Sequence, residues 1–326
     1  MPAVPSSAWR PASTMKRCAS AMHSTLAATI GLAGCDIDID DVHMGAKEEE
    51  PFHYSYDFKP GGRLLLDTYN GSVEITTWEQ PKIEIDGARF ANSKDRLKDV
   101  KVDISRGAES INIRSVPPMD RRGNTGARYQ IRLPKKAVLE LVKSTNGSVR
   151  VDGVDGAATV RTTNGSVRVT GVTGAVSATS TNGGIECVGL NGAVSARTTN
   201  GRIKMTDIQG PMDASTTNGG IVASMTKSID DRKMRFSTTN GGIELRLPAG
   251  LKNDVRASTT NGSIEVKMPS ASAFQVSART SGSSVRSEFD VVGEVTKKRM
   301  EGKVGAGGAL LDLSTSNGSI SLQRGL

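Results

Sequence analysis

The sequence predicts an all-β chain, a single-stranded parallel β-helix (β-solenoid) built from units of about eighteen residues behind an irregular β cap. Three observations predict it. First, Asn-Gly recurs at Asn146, Asn164, Asn182, Asn200 and Asn218 in steps of eighteen residues, and returns at Asn240, Asn261 and Asn317 with longer steps. A fixed period of this size marks one supersecondary unit stacked on its own copies. Second, apolar and exchangeable residues alternate after each Asn, as in Val149-Arg150-Val151, Val167-Arg168-Val169 and Ile203-Lys204-Met205. Period two is the pattern of a strand with one buried face. Third, aromatic residues make up only 4% of the chain, so the core must be filled by columns of small aliphatic side chains.

The elements follow in order. Residues 1–35 read as a leader. Lys16 and Arg17 open a charged start, an apolar stretch follows, and it closes on Leu32-Ala33-Gly34-Cys35. The stretch is too short and too interrupted for a membrane span, and Met15 fits as the true start. The ending resembles the lipobox of bacterial lipoproteins, which implies lipid on the Cys35 thiol and a mature chain that begins there; the competing reading is a chance cluster of small residues. Loss of Arg10, Lys16 and Arg17 with the leader lowers the formal charge from +8 to +5.

Residues 36–56 are acidic, with Asp36, Asp38, Asp40, Asp41 and Glu48 to Glu50, and read as a solvated tether. A calcium loop would need a central glycine and a closing carboxylate that are missing at the required offsets. Residues 57–142 keep β character with looser spacing. Candidate strands lie at 64–66, 73–77, 83–88, 100–104, 111–114 and 129–133, with a short helical turn at 93–98. This region is expected to cap the solenoid, whose open end would expose unpaired backbone. The repeats then occupy residues 143–326, interrupted at 288–308.

Each unit supplies two short strands. The apolar pairs after the Asn are followed by a second set, Ala158 and Val160, Val176 and Ala178, Val194 and Ala196, Met212 and Ala214, with Val154, Val172, Leu190 and Ile208 between the two sets. Helix competes poorly against this β-branched, glycine-rich content. The Thr-Thr-Asn-Gly corner admits two structural readings. By parity from Val160, Thr162 and Asn164 point inward and Thr163 outward, so stacked Asn side chains would form a ladder. Alternatively, Asn-Gly supplies the positive φ of a tight turn. A third reading, an outward Thr163, Thr181, Thr199, Thr217 array that binds ice or glycan, rests on one Thr column without a companion.

Signals for chemistry are sparse. His23, His43 and His53 all precede the repeats or lie at their edge, which excludes a Ser-His-Asp device or a His-based zinc site inside them. Cys187 shares a column with Val169 and Met205 and reads as packing. The glycines at 302–308 superficially resemble a phosphate loop but lack the Lys-Ser/Thr step and a βαβ frame, so a flexible loop is the expectation. Acidic pairs, Asp152 with Asp155 and Asp230 with Asp231, fall at corners. No cofactor is expected. A partial basic stripe runs through Lys143, Arg161 and Arg197 in one outward column and Arg150, Arg168 and Lys204 in another. It points to an anionic envelope polymer or headgroup, against the alternative of spaced charges that keep a β-rod soluble. Nucleic acid is not expected, since no aromatic residues interleave the stripe.

The run Tyr129-Gln130-Ile131-Arg132-Leu133-Pro134, then Leu139-Glu140-Leu141 and Ser144-Thr145-Asn146-Gly147-Ser148-Val149, followed by repeated Thr-x-Asn-Gly-x-Ile/Val, resembles the bacterial "putative adhesin" β-solenoid family. The resemblance spans roughly residues 57–324. It implies a parallel β-helix and an envelope lipoprotein of unknown biochemical function, and it brings no catalytic residues. The expectation is therefore a lipid-anchored, non-enzymatic module for adhesion or display. A structural or sensory accessory that binds a membrane protein, and a polysaccharide-active enzyme on the same scaffold, are the alternatives.

Overall fold

Period-two alternation gives each strand one buried side, and two strands per unit give two sheets that share one core. The computed structural model describes residues 48–120 and 123–325; Cys35, the leader and the first part of the tether lie outside the described residues. Strands come first at β1 (Glu48–Asp57), β2 (Gly62–Asn70), β3 (Val73–Trp78) and β4 (Lys82–Ala91), then a single helical turn and a half, α1 (Lys94–Asp99). They continue with β5 (Lys101–Arg106), β6 (Ser110–Val116), β7 (Gly126–Pro134), β8 (Ala137–Asn146) and β9 (Val149–Asp152). The repeats proper run β10 (Ala158–Asn164), β11 (Val167–Thr170), β12 (Val176–Thr179), β13 (Ile185–Val188), β14 (Val194–Arg197), β15 (Ile203–Gln209), β16 (Met212–Asn218) and β17 (Ile221–Lys227). Then come β18 (Met234–Asn240), β19 (Ile243–Arg246), β20 (Val255–Asn261), β21 (Ile264–Met268), β22 (Phe274–Thr280) and β23 (Val285–Ser287). The chain closes with β24 (Val292–Val295), β25 (Arg299–Val304), β26 (Leu310–Thr315) and β27 (Ile320–Arg324).

One sheet has 13 strands in the order β1-β4-β7-β3-β9-β11-β13-β15-β17-β19-β21-β27-β23, and the other has 14, in the order β24-β25-β22-β26-β20-β18-β16-β14-β12-β10-β8-β2-β6-β5. Between β9 and β21, and between β8 and β20, every pairing is parallel and joins equivalent strands of successive units. Val149, Val167, Ile185, Ile203, Ile221, Ile243, Ile264 and Ile320 stand directly opposite one another in sequence. All are buried. The predicted β-solenoid is the fold, and its interior is a set of such columns drawn from both sheets.

Both ends are built out of chain order. After β2 and β3 the chain leaves to form β4, α1, β5, β6 and β7, then returns as β8 and β9 on the other side of that first coil. At the far end β22 and β23 form the outer coil and β24 and β25 a hairpin. The last strands, β26 and β27, then slip between the outer coil and β20–β21. Three of the four outermost pairings, β1 with β4, β5 with β6 and β24 with β25, are antiparallel and do not continue the repeat; the fourth, the three-residue β23 on β27, stays parallel.

Two expectations need correction. Residues 48–56, read as the end of a solvated tether, form β1, paired along its length with β4. Phe52 lies over Gly87, where a Cβ would come 2.4 Å from the ring, and Glu49 and Glu50 meet Arg128 and Arg89 at 2.6 Å each. An aromatic face plus ion pairs outweighs the acidity of the segment. The glycine run at 302–308 is a loop only in part: Gly302 and Val304 belong to β25, paired with β22.

Candidate functional site

The feature that repeats along the rod is the Thr-Thr-Asn-Gly corner, and its residues do different things. The first Thr or Ser of each unit is buried and donates its hydroxyl to the glycine carbonyl of the neighbouring coil. Thr162 reaches Gly147 O at 2.9 Å, Ser180 reaches Gly165 O at 2.9 Å and Thr198 reaches Gly183 O at 2.9 Å. Thr216, Thr238, Thr259 and Thr315 extend the series. A buried hydroxyl thus finds its acceptor at every step. The second Thr, as at Thr163, Thr181, Thr199 and Thr217, is exposed.

The asparagines stack. Asn164 Nδ2 donates to Asn146 Oδ1 at 2.7 Å, and Asn182, Asn200, Asn218, Asn240, Asn261 and Asn317 each donate to the preceding Asn at 2.8 Å. They are exposed, at the last paired position of the strand, rather than inward as parity from Val160 suggested. Positive φ plays no part at these asparagines; the one non-glycine residue with positive φ among the described residues is Asp207. The glycines are required by proximity instead. A Cβ on Gly165 would lie 2.2 Å from Gly147 O, and one on Gly183 would lie 1.9 Å from Gly165 O.

The two predicted basic columns lie on different sheets. Lys143 and Arg161 are paired neighbours on β8 and β10, and Arg197 follows beyond Thr179. Arg150, Arg168 and Lys204 sit on β9, β11 and β15. Carboxylates interleave both. Lys143 meets Asp67 at 3.2 Å, Arg197 meets Asp213 at 3.3 Å and Arg150 meets Glu74 at 3.6 Å. Glu186 takes both Arg168, at 2.6 Å, and Lys204, at 3.3 Å. Arg161 has no ion pair among the described residues.

The acids behave alike. For Glu244 the burial penalty is the largest single influence, but Arg246 and Lys267 together outweigh it and hold its carboxyl below the usual range; Arg232 and Asn253 together do the same for Asp230. Cys187 is buried, and burial pushes its thiol up to about 12. A cleft of about 400 Å³ opens at the N-terminal end beside Asp57, Lys59, Arg106 and Glu109, two acids against two bases. Sequence reading missed one polar residue, Asn253. Fully buried, it donates to Arg232 O at 2.7 Å and accepts from Ser228 Oγ at 2.6 Å. It ties together the two longer corners that stretch the later repeats, and nothing in its local sequence signals that.

Fold and surface together define a repeat scaffold, a β-solenoid whose interior is closed and many of whose outward charges are paired. The sequence matches the Toastrack DUF4097 family over residues 68–248, more than half of the chain, and the chain belongs to that family. Among solved structures, a "putative adhesin" from Bacteroides fragilis is similar at 11% identity and TM-score 0.43, covering 84% of this chain and 97% of its own. A "putative lipid binding protein" from Parabacteroides distasonis aligns at 12% identity and TM-score 0.40, with the same coverage of 84% and 97%. No curated protein matches the sequence.

Proposed function

We propose that this chain is a lipid-anchored, non-enzymatic module of the bacterial cell envelope, held to a membrane through Cys35 and displaying its solenoid faces for adhesion or interaction. The observation that carries the reading is the closed interior. Aliphatic columns fill the space between the sheets from Val73 and Ile75 to Ile320 and Leu322, and acids of the outer faces such as Glu186, Asp230 and Glu244 are matched with Arg or Lys. A glycosidase-type pair needs one carboxyl kept protonated beside one ionised; Glu244 and Asp230 are instead held ionised by their cationic neighbours. An extended, ridged exterior suits contact with a polymer.

The partner that fits is an anionic envelope polymer laid along the sheet that bears Lys143, Arg161 and Arg197. Those three positions span three inter-strand steps, roughly 14 Å. Arg161 sits between the other two cations with no carboxylate of its own. The test is an array of envelope glycans and polyanions probed with the purified full chain. Binding that weakens with salt and drops on Arg161→Ala supports the reading. Absence of binding to every polymer, with co-purification of a membrane protein instead, would replace it with the accessory role. Fractionation of a Cys35→Ala variant tests the anchor, which predicts a shift from membrane to soluble fraction.

A further inference from the structure

Ten Asn-Gly pairs occur in this chain, and Asn-Gly is the dipeptide most prone to spontaneous deamidation. The glycine backbone nitrogen attacks the Asn side-chain carbonyl carbon, ammonia leaves, and water opens the resulting succinimide to aspartate or isoaspartate. Glycine matters because it offers no side chain to hinder the attack. A chain with so many such pairs, most of them at exposed corners, needs something that slows the reaction.

We propose that Asn317-Gly318 is a deamidation site of the folded protein and that the asparagine ladder shields the pairs within it. The attack requires the side-chain amide to rotate onto the following nitrogen, so each hydrogen bond that holds the amide or that nitrogen must break first. Inside the ladder both ends of the side chain are engaged. Asn200, for example, donates to Asn182 Oδ1 at 2.8 Å and accepts from Asn218 Nδ2 at 2.8 Å. At Asn146, Asn200, Asn218 and Asn240 the nucleophile is tied as well, since the Gly147, Gly201, Gly219 and Gly241 amides donate to the Asn carbonyl of the next coil at 3.0 to 3.1 Å. Asn164, Asn182 and Asn261 have the side-chain bonds without that amide bond among the described residues.

Asn317 is where the ladder stops. Its Nδ2 donates to Asn261 Oδ1 at 2.8 Å, but the next coil presents Gly282 opposite, between the paired Thr280 and Thr315 and the bridged Val285 and Ile320. With no side chain at Gly282, nothing among the described residues donates to Asn317 Oδ1, and no carbonyl among them accepts from the Gly318 amide. Asn191-Gly192 gives an internal comparison of the opposite kind. It lies outside the ladder, its side chain has no hydrogen bond among the described residues, and its glycine amide donates to Gln209 O at 2.8 Å.

The test is peptide mass mapping of the purified full chain, held folded at mildly alkaline pH, with isoaspartate read at each Asn-Gly. Asn317 is expected to convert ahead of every other ladder pair, faster than the doubly locked Asn146, Asn200, Asn218 and Asn240 by about tenfold or more for each bond that must open. Asn164, Asn182 and Asn261 should fall between, and Asn191, also held by a single bond, should convert on a par with Asn317. In urea all ten should converge. An Asn200→Ala variant, shown folded by circular dichroism, should speed conversion at Asn182, which loses the donor to its Oδ1, and leave Asn317 unchanged. The proposal is overturned if Asn317 lags or matches the doubly locked sites in the folded wild type, or if folding leaves the ten rates equal.

Discussion

At the scale of single residues, the corner glycines separate into two kinds that a sequence shows as one letter. Gly183 has ordinary backbone angles, but a Cβ there would sit 1.9 Å from Gly165 O. Neither backbone is free to move, because the neighbouring Asn and Thr bonds fix the distance between coils. Gly189 has φ of 62° and open space around its missing Cβ. Gly183→Ala should therefore cost about 3 kcal/mol or more by overpacking, and Gly189→Ala only about 1–2 kcal/mol of left-handed backbone strain, as read from urea unfolding. The positions of both were legible in the repeat. The distinction was not, since it depends on how close the next coil comes. Cys187 allows a prediction in pH. Burial raises its folded pKa to about 12 from the ordinary thiol value of 9.0. Below about pH 9 the thiol is protonated in both states and contributes no slope. Above it the unfolded chain loses the proton first, so stability falls with rising pH toward 12, by at most about 1.4 kcal/mol per unit for this one group. Cys187→Val should flatten the alkaline limb of a stability-versus-pH curve by up to one proton; an unchanged slope would show that the thiol ionises equally in both states.

At the scale of elements, the regular coils were legible because period and alternation agree, and the ends were not because they break both. The strand β1 hides in an acidic segment, although Phe52, Tyr54 and Tyr56 alternate and carry the strand signal there; Tyr54 and Tyr56 stack at 6.3 Å and Phe52 packs on Tyr129 at 5.6 Å. The C-terminal end is harder to foresee. Local sequence places Phe274–Thr280 before Leu310–Thr315, and no propensity says that the later strand lies inside the earlier one. The consequence is a dependence that can be measured. Because β26 and β27 bridge β20–β21 to β22–β23, a chain ended after Ala309 should lose protection in hydrogen exchange at β22 and β23 as well, and should aggregate through the exposed edges of β20 and β21. Retention of protected amides in β22 and β23 would mean that the outer coil can dock on β20–β21 unaided.

At the scale of the whole molecule, stability in a stacked array is close to a sum of each coil's own term and its contacts with two neighbours. The array has two faces, so register matters in units of a full coil. Removing residues 183–200 joins Asn182 to Gly201 and leaves every column in phase: Val167 would then stack on Ile203, Ala178 on Ala214, and Asn182 on Asn218. Such a shortened chain should fold, unfold cooperatively, and show an m-value reduced in proportion to the surface one coil buries. Removing half that length, residues 192–200, takes away β14 and connects the corner after β13 to the strand β15 of the same sheet. Side chains built for one sheet would have to enter the other, the Asn ladder would lose its alignment, and the inward Thr198 hydroxyl would have no replacement for its bond to Gly183 O. That shorter deletion should fail to give a cooperative transition although it removes fewer residues. The comparison decides whether the coil is the unit of this fold. A polymer-binding face made of equivalent positions on successive coils requires that it is, since only then does each coil carry its outward side chains at the same angle as the last.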